Sequence, residues 1–250
     1  MKVISVVNQK GGTGKTTTTL NLGASLAKCG KKVLIIDLDA QGNLAFSVGI
    51  DEDESGIAKV IGGEASIKDI IIKKEDFYLV PANRDLADIE INLIQHKERT
   101  LVIKKILNEV KHFDFVLIDC APSLSILTIA ALVASDYVLI PMQFEVLSLQ
   151  GLKMIVKTVD DIRLSLNNSI HIVGVLGVMF DRRKKLTGEI EDYIKDNFNI
   201  NVFNSKIRLD VRISEAPSFG QSAVAYSPDS NGSRDYISFA KEFLQKISNI

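Results

Sequence analysis

Short apolar runs recur along the chain and constrain its fold more than any other feature. They are continuously apolar, rich in Val and Ile, and cover residues 3–7, 32–39, 76–82, 114–122, 136–142 and 170–180, with a weaker run at 201–207. Strands covered by helices on both faces have this pattern. Helix-like stretches separate the runs at 15–29, 99–110, 149–166, 187–197 and 233–247. The alternation predicts an α/β fold with a doubly wound, mostly parallel sheet flanked by helices, in a single domain over residues 1–250.

Composition limits the kinds of protein this chain can be. The 250 residues carry a formal net charge of -1, so a nucleic-acid site would have to be a local basic patch. Cys29 and Cys120 have no metal-binding spacing and favour reduced thiols in a cytosol. The apolar run at the N-terminus is too short for a signal peptide. Residues 124–134 fall short of the roughly 20 apolar residues that a membrane span needs. We therefore expect a soluble, cytoplasmic protein.

A glycine loop joins the first predicted strand to the first predicted helix. The segment "NQKGGTGKTT" runs from Asn8 to Thr17 and ends in the Gly-Lys-Thr of a phosphate-binding P-loop. Glycines let backbone N–H groups surround an anion, and the following helix adds its positive N-terminal end. Lys15 would reach the β- and γ-phosphates, and the Thr16 hydroxyl would bind Mg²⁺. The sequence therefore predicts a P-loop NTPase.

Acidic residues close two of the predicted strands. "VLIIDLDAQGN" places Asp37 and Asp39 at the end of one strand, and "FVLIDCAP" places Asp119 at the end of another. A single aspartate in this position is more often a turn or capping residue. Ligands of open α/β sheets, however, bind along the carboxyl edge of the strands. Three such acids beside a P-loop therefore indicate a Mg²⁺ site.

One lysine is not explained by the common P-loop pattern. Gln9 stands where that pattern has its first glycine, and Lys10 directly precedes Gly11. From the local spacing alone, Lys10 is as well explained by a solvated surface lysine as by a functional one.

The motifs together resemble a known family. "KGGTGKTT", "DLDAQGN", "LIDCAPS" and "SEAPSFG" are similar to the deviant Walker A ATPases, and specifically to the ParA/Soj partition ATPases, over essentially the whole chain. The resemblance implies an ATPase that uses ATP and Mg²⁺. It assigns Lys10, Lys15 and Asp39 to catalysis, with Lys10 crossing to the partner's phosphates in an ATP-bound homodimer and Asp39 positioning the water. Asp37 and Asp119 join Thr16 around Mg²⁺. Nucleotide contacts fall on Lys10, Gly11, Gly12, Thr13, Gly14, Lys15, Thr16 and Thr17, with Met179 and Pro217 against adenine.

The resemblance also implies binding of nonspecific double-stranded DNA and a ParB-like activator, in the cytoplasm at the nucleoid. A basic run such as "DRRKKL" is more often a solvated face, but with the family it favours a DNA surface. No DNA-reading segment precedes the P-loop, so we do not expect operator-specific repression. The candidate DNA contacts are Arg182, Arg183, Lys184, Lys185, Lys206, Arg208, Arg212, Arg234, Lys241 and Lys246.

Other functions remain open at this point. A MinD-like positioning ATPase would need an amphipathic membrane helix at the C-terminus. The C-terminal segment "DYISFAKEFLQKISNI" instead has the pattern of a core-packing helix, so no membrane is expected as a partner. A reductase like the nitrogenase iron protein would need suitably spaced thiolates. An ATP-dependent synthetase or small-molecule kinase would need an acceptor site, for which the sequence has no signature.

Overall fold

A single sheet of seven strands organises the chain. The computed structural model describes residues 1–51, 56–181 and 183–249. Its strands run in the order β3-β4-β2-β5-β1-β6-β7, and all neighbours are parallel except β3 and β4. This arrangement confirms the predicted fold class. The strands are β1 (Lys2–Val6), β2 (Val33–Leu38), β3 (Ile72–Lys74), β4 (Phe77–Val80), β5 (Phe115–Cys120), β6 (Tyr137–Met142) and β7 (His171–Gly177).

Helices cover both faces of the sheet. Within β2, Leu34 and Ile36 pack into one core cluster while Val33 and Ile35 pack into the other, because successive side chains of a strand point to opposite faces. This is why the strand sequences are continuously apolar. The helices are α1 (Lys15–Lys28), α2 (Asn43–Ser47), α3 (Ile57–Ile61), α4 (Asp85–Leu93), α5 (Val102–Leu107), α6 (Ile126–Ala134), α7 (Val146–Ser165), α8 (Lys185–Phe198), α9 (Val211–Glu215), α10 (Ala223–Tyr226) and α11 (Asn231–Ser248).

Some elements differ from the sequence-based expectation. The run at 201–207 makes only isolated bridges, Val175 with Val202 and Phe180 with Arg208, so it is not a full strand. The short β3 was not predicted, and it pairs with β4 through a tight turn. Helices α4 and α6 were also missed. Six of the nine α6 residues are buried, so its sequence is apolar nearly all round and has no amphipathic period.

The C-terminal helix packs into the core. Phe239 and Phe243 of α11 are fully buried and Ile247 is nearly so. The hydroxyls of Tyr236 and Thr18 lie 3.3 Å apart and share a buried hydrogen bond that joins α11 to α1. These contacts support the core-packing interpretation of the C-terminal segment. None of the helices in the described ranges combines the length and apolarity needed to cross a bilayer.

Gly174 allows a close approach inside the sheet. The pairing of β6 with β7 shifts register between Val138 and Leu139, and Gly174 sits opposite Leu139. A Cβ at Gly174 would lie 2.9 Å from the carbonyl oxygen of Asn201 and 2.8 Å from the Phe203 ring. The backbone at this position therefore excludes any side chain.

We expect Gly174→Ala to lower the free energy of unfolding by about 1–3 kcal/mol, the usual cost of overpacking. The matched control is Gly188→Ala at an exposed position of α8, where a Cβ would meet no atom of the described residues within 4 Å. Alanine is the better helix former by about 1 kcal/mol, so the control should be neutral or stabilising. Urea unfolding measures both. Equal effects of the two substitutions would contradict this account of the β6–β7 junction.

Candidate active site

The loop between β1 and α1 forms an open cradle of backbone groups. Gly12 and Gly14 have φ of 71° and 74°, a region that glycine enters without strain. Among the described residues, no atom lies within 4 Å of where a Cβ would stand at Gly11 or Gly12, so the space beside this part of the loop is open. The Thr13 hydroxyl donates to the Lys10 carbonyl at 3.1 Å and closes the loop. The free N–H groups of the first turn of α1 are available to an anion here.

Lys15 points into the interior. It is buried, with 7% of its surface exposed. Burial lowers the pKa of its ammonium, and the charges of Asp119 and Asp39 oppose that shift. Thr16 and Thr17 follow on the first turn of α1 and are half-buried. The structure therefore brings Lys15 close to Asp119 and Asp39, as a parallel sheet predicts.

Asp37 and Asp119 lie side by side at the carboxyl edge. They are register partners on the adjacent strands β2 and β5, and both are fully buried. The Asp39 backbone N–H donates to Asp37 Oδ1 at 2.9 Å, and the Thr19 hydroxyl donates to Asp119 Oδ1 at 3.3 Å. The Oδ2 atoms of both acids are buried and have no hydrogen-bond partner among the residues that the structure describes. Orphaned carboxylate oxygens of this kind fit a hard cation such as Mg²⁺.

Both acids resist ionisation in the free chain. Burial raises the pKa of Asp37 well above its usual range, and the nearby Asp119 raises it further. Burial raises the pKa of Asp119 to about 7, against the opposing effects of a Thr16 hydrogen bond and the Lys15 charge. A cation bound between them would reverse this preference. Asp39 lies just beyond β2, half-buried, and its Oδ1 accepts from the Gln41 backbone N–H at 3.0 Å.

Lys10 contacts a carboxylate that sequence reasoning missed. Its Nζ lies 2.9 Å from Glu145 Oε2, and the two side chains are 43% and 51% exposed. Asn8 fixes the backbone here: its Oδ1 accepts from the Lys10 N–H at 3.0 Å, and its Nδ2 donates to the Pro141 carbonyl at 2.8 Å. Glu145 follows β6, the sheet neighbour of β1. That adjacency, rather than a motif, is the signal that could have located it.

The two predicted adenine contacts do not line one cavity. Met179 has a φ of 50° and accepts a hydrogen bond at its sulfur from Gln143 Nε2 at 2.6 Å. It lines a cavity of about 730 Å³ that also includes Glu145 and Val178, and Val178 lies beside Gly14. Pro217 is half-buried in the 3₁₀ turn at 216–219 and does not line this cavity.

Most of the predicted DNA-binding cations have a carboxylate partner in the same chain. The Arg208 guanidinium donates two hydrogen bonds to Asp235, at 2.9 and 2.7 Å. The other pairs are Arg183 with Asp181, Lys185 with Glu189, Arg212 with Glu215, and Arg234 with Asp229. Arg183, Lys184 and Arg208 come together on the rim of the same cavity, whereas Lys241 and Lys246 lie along α11 and do not line it. Arg182 lies outside the described residues.

Lys206 is a correction to the sequence-based interpretation. Its side chain is only 8% exposed and pairs with Glu191 at 3.1 Å. The ammonium also lies 5.5 Å from the centre of the Phe144 ring and donates to the Phe203 carbonyl. Lys206 is therefore an internal cation and offers no charge to a surface ligand. The sequence misled because a charge count cannot distinguish a buried lysine from an exposed one.

Named relatives match nearly the full chain. A chromosome partitioning protein ParA from Caulobacter vibrioides is 38% identical and covers 98% of this chain and 95% of that protein. The sporulation initiation inhibitor protein Soj from Bacillus subtilis is 42% identical, over 96% of this chain and 97% of that protein. A solved structure of cobyrinic acid a,c-diamide synthase from Mycobacterium smegmatis, with bound ATP analogue and magnesium, is 30% identical. It has a TM-score of 0.87 and covers 99% of this chain and 96% of that chain.

We expect Asp37→Asn to stabilise the chain in metal-free buffer, increasingly at higher pH. Burial raises the pKa values of Asp37 and Asp119 in the folded chain above the unfolded value of about 4. Because both groups ionise more easily in the unfolded chain, the free energy of unfolding of wild type falls as pH rises from about 4 to above 7. The variant should be more stable than wild type at pH 8 and close to wild type at pH 5, measured by urea unfolding. MgATP should narrow the gap. An identical difference at both pH values would contradict the ionisation account.

The family assignment draws on both the chain-length matches and the site. A sequence model for a family described as an AAA domain matches residues 1–172. That span contains the glycine loop, the buried pair Asp37 and Asp119, and the Lys10–Glu145 contact. The ParA and Soj relatives extend the match to nearly the whole length. The chain belongs to the ParA/Soj-type partition ATPases of this AAA domain family.

Proposed function

We propose that the chain is an ATP-driven partition switch. ATP and Mg²⁺ bind at the glycine loop, two loaded chains join as a homodimer, and the dimer binds double-stranded DNA without sequence preference. Membership in the partition ATPases supports ATP hydrolysis as the reaction. One observation carries the proposal. The phosphate cradle already contains a buried lysine, Lys15, and a second lysine, Lys10, lies half-exposed at its rim.

The surface around Lys10 supports a second copy of the chain as its partner. Val146 and Leu147 directly follow Glu145 and are 60% and 77% exposed. Leu209, on the rim of the neighbouring cavity, is 78% exposed. Large apolar side chains exposed together beside a polar site are typical of interfaces. Burying them against an identical surface would bring each Lys10 towards the partner's nucleotide.

The residues of one site divide the chemistry of hydrolysis. Lys15 and the backbone N–H groups of the loop bind the β- and γ-phosphates, and Asp39 orients the attacking water. Thr16, Asp37 and Asp119 hold Mg²⁺, which would supply positive charge to the phosphate oxygens. Lys10 of the partner adds charge as the γ-phosphoryl group breaks away, comparable to an arginine finger supplied in trans.

Loss of the γ-phosphate would reset the switch. Without it, Lys10 loses its partner across the interface, so the dimer loosens and releases DNA. We infer that a ParB-like activator promotes this step and that the protein acts in the cytoplasm at the nucleoid. The candidate DNA surface is the cationic rim of Arg183, Lys184 and Arg208, joined by the exposed Lys185. Arg212, Arg234, Lys241 and Lys246 are further candidates.

Nucleotide state should decide DNA binding. With a random-sequence duplex, we expect tight binding only with a slowly hydrolysed ATP analogue and Mg²⁺, and weak binding with ADP or no nucleotide. Fluorescence anisotropy at about 50 and 200 mM salt measures it, because phosphate contacts are lost steeply over that range. Lys10→Ala should weaken binding at least about tenfold, while Lys73→Ala, at the exposed position of β3, serves as the control. Equal binding in all three nucleotide states would rule out the switch.

The cationic rim should account for the salt dependence. We expect Arg183→Ala with Lys184→Ala to weaken DNA binding and to lower the slope of log affinity against log salt by about 1–2, as counterion release requires for two lost contacts. Lys206→Met removes the same kind of charge from a buried position. It should leave DNA affinity within about twofold, since it makes no phosphate contact. An effect of Lys206→Met equal to that of the rim variant would contradict this surface.

A further inference from the structure

The ammonium of Lys10 is already engaged within its own chain. Its partner Glu145 occupies the N-cap position of α7, but the glutamate side chain makes no capping hydrogen bond to that helix. The carboxylate instead meets Lys10 Nζ at 2.9 Å. A residue that could stabilise the start of α7 therefore holds the lysine of the glycine loop.

Both ends of this ion pair are held by backbone contacts near the end of β6 and the start of α7. The Glu145 backbone N–H donates to the Gln143 carbonyl at 2.9 Å, and its carbonyl accepts from the Ser148 N–H at 3.0 Å. Asn8 ties the Lys10 backbone to the carbonyl of Pro141, which lies near the end of β6. The contact thus links two fixed pieces of backbone.

In the proposed function, Lys10 binds a different anion, the triphosphate of the partner's nucleotide. An ammonium facing Glu145 has its charge largely neutralised, and the carboxylate would also stand close to an incoming triphosphate. Val146 and Leu147 directly follow Glu145 in the chain, and both are exposed apolar side chains. When an interface buries that surface, the pair loses its water, and an ion pair without water is costly unless its geometry is excellent. Dimerisation therefore favours exchange of Glu145 for the partner's phosphates.

We propose that Glu145 is a positioning residue that stores Lys10 in the solitary chain and sets the threshold for dimerisation. This inference rests on the proposed function. The solitary chain keeps Lys10 on Glu145, and the nucleotide-loaded dimer transfers it to the partner's triphosphate. A half-exposed ion pair is worth at most about a fivefold change in an equilibrium constant, so Glu145 tunes dimerisation and does not block it.

Glu145→Gln tests the inference, because it keeps the shape of the side chain and removes its charge. With a slowly hydrolysed ATP analogue and Mg²⁺, sedimentation should give a dimer dissociation constant about five- to twentyfold lower than wild type, since each dimer contains two such pairs. The matched control is Glu98→Gln. It neutralises another exposed glutamate–lysine pair, Glu98 with Lys105, and should change nothing.

The Lys10→Ala background separates storage of Lys10 from a general charge effect. If Glu145 acts through Lys10, adding Glu145→Gln to Lys10→Ala should not strengthen the dimer further. Strengthening in that background would overturn the inference, because it would come from repulsion between protomers. A Glu145→Gln dimer no tighter than wild type would overturn it too. If wild type itself stays monomeric with the analogue, the proposed function fails first.

Discussion

The buried carboxyl pair at the end of β2 and β5 is the constraint around which the site is built. Parallel strands bring Asp37 and Asp119 into register, and one buried oxygen of each has no hydrogen-bond partner in the described parts of the chain. Two adjacent carboxylates in a dry interior cannot both ionise without a positive charge between them. Lys15 lies close enough to offset part of the cost. The free chain therefore carries a destabilised site, and a cation with a triphosphate would complete it.

Ion pairs between basic side chains and carboxylates of the same chain are the second recurring feature of the structure. The chain has 30 basic and 31 acidic residues, and most of its candidate DNA-binding cations, like Lys10, are paired with neighbouring carboxylates. Such exposed pairs are individually weak, so a phosphate oxygen can replace the carboxylate at little cost. Nucleotide and DNA phosphates would then compete for cations already in place. The pairs that illustrate this are Lys10 with Glu145, Arg183 with Asp181, and Arg208 with Asp235.

The sequence predicted the sheet and the phosphate loop because both depend on local pattern. Buried parallel strands are continuously apolar, and a Gly-Lys-Thr between a strand and a helix is specific to phosphate-binding loops. It did not predict Glu145, because that contact joins residues 135 positions apart through the adjacency of β1 and β6. It also placed Lys206 on the surface, although the side chain is buried, because sequence alone does not show whether a lysine is buried. Helix α6 was missed because a buried helix has no polar face.

Subunit complementation tests most directly whether Lys10 acts in trans. Lys10→Ala supplies an intact Asp39 but no Lys10, and Asp39→Ala supplies an intact Lys10. In a mixed dimer, the Lys10→Ala protomer would keep its own Asp39 and receive Lys10 from the other chain. The account predicts that mixing the two variants restores ATP hydrolysis above the level of either alone. A mixture no more active than its separate components, although mixed dimers form, would contradict it.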